Sequence, residues 1–142
     1  MYVADGKRLT AAGARRVLDT AVARAKEAGI AVTVAVVDAG GHLVVLERME
    51  GGKFHSVHSA TTKAVCAASN KRNTGSTGAV GQSLDVLHAL GLALAAGPER
   101  WTAMEGGCPI MAGSECIGGV GVAGGNWEFD ERVANEAAQS LS

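Results

Sequence analysis

At 142 residues with 47% hydrophobic side chains, the chain can fill one core and is short for two, so a single domain over residues 1–142 is expected. Thirteen Lys and Arg against fourteen Asp and Glu leave a formal charge of -1 without a run of like charge, which argues against nucleic acid as a partner. No apolar run reaches membrane-spanning length and no secretory leader opens the chain, so no membrane partner and a cytoplasmic location are expected.

In chain order, Thr10 is placed to cap a helix whose apolar stripe is Ala14, Val17, Leu18, Ala21, Val22 and Ala25, with Gly29 as its stop. Ala31 to Val37 is a β-branched apolar run, followed by Asp38-Ala39-Gly40-Gly41 and Leu43 to Leu46, which predicts a hairpin. Val57, Ala60, Thr61, Ala64, Val65 and Ala68 recur at helical spacing and predict a second helix over about Ser56 to Ala68. Ser69 to Gly81 is polar, lacks periodicity and reads as an exposed loop, the kind of segment that borders binding sites.

Ser83 is placed to cap a third helix carrying Leu84, Leu87, Leu90 and Leu94, ended by Gly97-Pro98, and its interior Gly91 suggests a close contact. A turn over Glu105 to Pro109, a short strand at Ile110-Met111, a turn at Ala112-Gly113 and a strand over Glu115 to Ala123 follow. Gly118, Gly119 and Gly121 strip side chains from that last strand, so a helix or a ligand can approach its backbone. Asn126 or Asp130 opens a final helix with the stripe Val133, Ala134, Ala137, Ala138 and Leu141. This order predicts an α+β domain with a mainly antiparallel sheet and helices packed on it.

Gly119-Val120-Gly121-Val122-Ala123-Gly124 has the spacing of a dinucleotide fingerprint. It is not read as one, because the chain ends before a second parallel strand, and Glu128, Asp130 and Glu131 would repel a pyrophosphate. Those acids read as helix-start carboxylates, with Glu128 or Asp130 as a base or metal ligand the functional alternative. Cys66, Cys108 and Cys116 have no CxxC spacing and read as reduced thiols. His55 and His58 lie three apart at a helix start, close enough in projection to serve one ligand, to hold a metal at His58 or to move protons. His42 and His88 read as structural, the latter half-buried. Lys63, in an alanine-rich helix, reads as a snorkelling side chain, a partner for Asp38, Glu47 or Glu105, or a contact to an acidic substrate.

Several segments together resemble the GlcG/HbpS-like, or haem-degrading, family, to which the C-terminal part of PduO-type corrinoid adenosyltransferases is related. They are Val34 to Leu43, Glu47-Arg48-Met49-Glu50-Gly51, Ser56 with Ala60 and Lys63-Ala64, Gly106 to Ile110, and Ile117 to Gly125 with Glu128 and Asp130. The resemblance runs from about Leu9 to Leu141. It implies a five-stranded, mainly antiparallel sheet in a three-layer arrangement, symmetric homo-oligomers, and haem or a corrinoid as cofactor. His55 and His58 are not part of the family pattern.

Two functions are then weighed. The first is a small-ligand-binding homo-oligomer whose pocket lies between the second helix, the Ser69 to Gly81 loop and the Glu105 to Pro109 turn, with His55, His58, Arg48, Gly107 and Pro109 touching the cofactor. The second is an enzyme acting on a small organic acid by proton transfer, a lyase or isomerase. Its acid or base is His55, His58 or Glu105, and its carboxylate-binding group is Lys63, Arg48 or Arg72.

Overall fold

The computed structural model describes residues 1–142. Helix α1 (Ala11–Ala28) starts where the Thr10 hydroxyl accepts the Gly13 N–H and stops at Gly29, which takes a left-handed conformation (φ 69°). Its buried residues are Ala14, Val17, Leu18, Ala21, Val22 and Ala25, the stripe the periodicity predicts. Strands β1 (Thr33–Asp38) and β2 (Leu43–Arg48) form the expected hairpin. Asp38 closes its turn by accepting the backbone N–H groups of Gly40 and His42 through Oδ1.

Helix α2 (Ser56–Asn70) runs two residues further than expected and ends at Lys71 in a left-handed conformation. Helix α3 (Val86–Ala96) is capped by Asp85 rather than Ser83, because the carboxylate reaches the His88 N–H at 2.8 Å; Leu84 is left outside the helix. Strand β3 (Gly107–Ala112) begins three residues before the predicted one and absorbs Gly107 to Pro109 from the predicted turn. Strand β4 (Glu115–Ala123) follows, and α4 (Trp127–Ala138), capped by Asn126, closes the fold with a 3-10 turn over Gln139–Leu141.

The sheet has four strands in the order β2-β1-β4-β3, and every neighbouring pair is antiparallel. That corrects the five strands implied by the family resemblance. Between α2 and β3 the chain forms only an isolated Thr77–Ser83 bridge and helix α3, so no fifth strand joins the sheet. Pro109 is accommodated because β3 is an edge strand.

The sheet separates two apolar layers. On one face Val34, Val36, Ile110, Val120 and Val122 pack on α1 and α4. On the other, Ala35, Val37 and Ala123 meet Ala60, Ala64 and Ala68 of α2. A side chain at Gly119 would collide with the Ala64 carbonyl, and one at Gly121 with the Ala60 carbonyl. Backbone therefore packs on backbone, and the chain needs few large side chains in this layer. Gly119 and Gly121 of the apparent dinucleotide spacing belong to this antiparallel packing surface, and Gly124 lies just past the strand against Ala31 and Val32.

Helix α3 stands apart. It buries none of its residues, and Leu87 and Leu94 remain 77% and 78% exposed. Nothing lies within 4 Å of where a Gly91 side chain would be, so the predicted close contact at that glycine is absent from the chain's own fold.

Candidate functional site

A cavity of about 780 Å³, open to solvent, lies beside the N-terminal half of α2. Helix α2 and the residue capping it contribute His55, Ser56, His58, Ser59, Thr62 and Lys63. Val86, Ala89, Leu90 and Ala93 of α3 form the apolar side. Pro98 and Trp101 to Glu105 form a further wall, and Ala123 to Gly125 with Trp127 and Asp130 close the end. Both tryptophans of the chain line this space.

At the inner end sits a buried ion pair. Lys63 Nζ donates to the Val122 carbonyl at 2.8 Å and lies 3.4 Å from Asp130 Oδ2; the two side chains are 7% and 4% exposed. Asp130 Oδ1 accepts the Gly125 N–H at 3.0 Å. Burial pushes the Lys63 amine below the ordinary lysine value, with Asp130 and more weakly Glu105 pulling the other way. Burial likewise raises the Asp130 carboxyl, against the attraction of Lys63 and the Gly125 N–H bond. The lysine's partner is thus neither Asp38 nor Glu47, which lie on the hairpin, and Glu105 acts only at a distance. The pairing with Asp130 links residues 67 apart in sequence and crosses from α2 to α4, so no local pattern exposes it.

His55 and His58 reach the cavity from its mouth, both largely solvent-exposed. Phe54 stacks edge-on against His55 with ring centroids 5.9 Å apart. Arg48, Gly107 and Pro109 fall outside the cavity. Arg48 is exposed at the end of β2, Gly107 is packed under the Lys63 carbonyl with its N–H on Thr74 Oγ1, and Pro109 lies opposite Gly119 in the sheet. Arg72 is also outside, holding the Ala79 carbonyl. Of the Ser69 to Gly81 loop only Ser76 borders the space, because Thr74 ties the loop down to β3. His88 is exposed and bonded to Asp85, not half-buried.

The cysteines are free. Burial pushes the Cys108 thiol up to about 12 and raises Cys66, which disfavours the thiolate form of both. No group of three His, Cys, Asp or Glu is arranged to hold a metal ion, and no helix is long and apolar enough to cross a membrane.

The model of the family described as "Haem degrading protein HbpS-like" matches residues 9–139, nearly the whole chain. The chain belongs to this HbpS-like family. Among solved structures, protein ORFY of Klebsiella pneumoniae is 31% identical with a TM-score of 0.84, covering 99% of this chain and 96% of that one. A double mutant of Streptomyces reticuli HbpS is 29% identical with a TM-score of 0.81, covering 99% and 91%. PduOC, crystallised as a complex with haem, is 25% identical with a TM-score of 0.80, covering 94% and 95%. The segments carrying the HbpS-like resemblance include β1, its turn, β3 and the glycine-bearing β4, the parts that build the sheet.

Proposed function

We propose that this HbpS-like chain binds a flat tetrapyrrole, with haem the first candidate and a corrinoid the second, and that it does so as a cytoplasmic homo-oligomer. The observation that carries the reading is the cavity of about 780 Å³ with imidazoles at its mouth and an apolar side formed by Trp101, Val86 and Leu90. Its size lies within the roughly 300–1,000 Å³ typical of small-molecule sites. His58 or His55 would hold the iron, and the exposed Met104 and Trp127 would supply apolar contact. Bound haem would bring an iron centre for ligand exchange or electron transfer. The haem complex of the similar PduOC supports the choice of ligand.

Self-association is supported by α3, whose Val86, Leu87, Leu90 and Leu94 are left in water by the single chain. A cytoplasmic home is supported by three free cysteines. Titration of the purified protein with haemin tests the ligand. The expected result is a Soret band shifted from free haemin and lost in the His55→Ala/His58→Ala double variant, whereas a spectrum identical to free haemin at every ratio rejects the reading. Hydroxocobalamin in place of haemin distinguishes the two tetrapyrroles.

A further inference from the structure

We infer that Lys63 forms an imine with small aldehydes or ketones entering the α2 cavity, giving the chain a carbonyl-binding or carbonyl-processing activity independent of any tetrapyrrole. Lys63 is the only one of the five lysines that is buried, yet it borders a cavity large enough for a small molecule. An ammonium has three N–H donors, and the Val122 carbonyl and Asp130 engage two of them, leaving one.

The space around the amine is kept clear by glycine. A side chain at Gly106 would stand 2.9 Å from Lys63 Nζ, and one at Gly125 would stand 2.8 Å from Asp130 Oδ1. Anything larger at either position would press on the pair.

The charge balance selects the ligand class. Asp130 already offsets the lysine, and the other charges bordering the cavity, Lys53 and Glu105, also balance, so no unpaired cation is left at the amine to hold a carboxylate. A neutral carbonyl compound needs none. Desolvation also favours the uncharged amine, the form that attacks carbonyl carbon.

The step balances within the pair. Lys63 passes a proton to Asp130 Oδ2, and its nitrogen lone pair attacks the carbonyl carbon to give a carbinolamine. In that carbinolamine a proton from the added nitrogen has passed to the oxygen to make it a hydroxyl. Asp130 then returns its own proton to this hydroxyl, which leaves as water as the nitrogen lone pair forms the C=N bond, and the product is a protonated imine on Nζ. No oxidant, metal or second cofactor takes part.

Trapping on haem-free protein tests the inference, so its outcome is separate from that of the haemin titration. The protein is incubated with glycolaldehyde or propionaldehyde and sodium cyanoborohydride at neutral pH, and modification is followed by peptide mapping at Lys7, Lys26, Lys53, Lys63 and Lys71. Lys63 is expected to be labelled several-fold faster than any exposed lysine, because burial holds more of its amine in the uncharged form. The Lys63→Arg and Lys63→Met variants are expected to lose the fast phase. Mapping of the unaltered protein decides the matter even if both variants misfold. A Lys63 that stays unmodified, or reacts no faster than its exposed counterparts, overturns the inference.

Discussion

A lysine and an aspartate enclosed at the end of a cavity are each more comfortable uncharged than charged. Burial holds the Lys63 amine below its ordinary value and the Asp130 carboxyl above it, and only their mutual attraction offsets that cost. Removing one partner leaves the other unpaired. Lys63→Met is expected to cost about 3–5 kcal/mol in urea unfolding, with the Lys63→Met/Asp130→Asn double variant recovering most of it. A double variant as unstable as the single one would show that the two groups are not coupled. The pH dependence follows from the same shifts. Asp130, its folded pKa raised, contributes stability that is fully present below the unfolded carboxyl value and is lost as pH rises through the folded one. Lys63, its folded pKa lowered, contributes stability present above the unfolded amine value and lost as pH falls through the folded one. Without the lysine only the first dependence remains and it steepens. Lys63→Met is therefore expected to gain stability as pH falls from neutral into the mildly acid range, measured by thermal melts across pH.

The contact between α2 and the sheet depends on what is missing from β4. Gly121 sits beneath the Ala60 carbonyl and Gly119 beneath that of Ala64, and α2 answers with alanines at the contact. Gly121→Ala would drive a methyl group into helix backbone, which cannot rotate aside as a side chain can. It is expected to destabilise by about 3 kcal/mol or more, seen as a lower urea midpoint. An unchanged midpoint would mean that α2 can lift off the sheet freely. Such a shift would also disturb the cavity, because His55, His58 and Lys63 all ride on or beside this helix. Helix α1, held by a Thr10 cap and a Gly29 stop, covers the opposite face and leaves that site untouched.

For the whole molecule, α3 is the outlier. Its residues Val86 to Ala96 are almost entirely apolar, and in water a helix of that composition lacks the burial that elsewhere stabilises this fold. In the proposed homo-oligomer a second copy would cover it, and because the same helix walls the cavity, assembly and ligand access would then share one element. The Leu87→Glu/Leu94→Glu variant is expected to reduce the mass measured by light scattering while leaving the sheet's circular dichroism unchanged. An unaltered mass would place any self-association on another face.

Much of this architecture is local in origin and legible in the sequence. The α1 stripe, the hairpin at Asp38 to Gly41, the Asn126 alternative for the α4 cap and the glycine-lined approach to β4 all follow from residue spacing, because short-range periodicity and turn chemistry govern them. The family resemblance, too, was carried by contiguous segments. Other features depend on distance along the chain. Whether Lys63 met Asp130 or Glu105, whether Gly107 and Pro109 touched the cavity or the sheet, and how many strands formed were decided only when residues 33, 63, 107 and 130 came together. An apolar stripe shows that a helix wants a partner without showing which one, and a charge shows that it wants an opposite without saying where. Tertiary packing supplies that answer because both forces act through space and neither records a sequence separation.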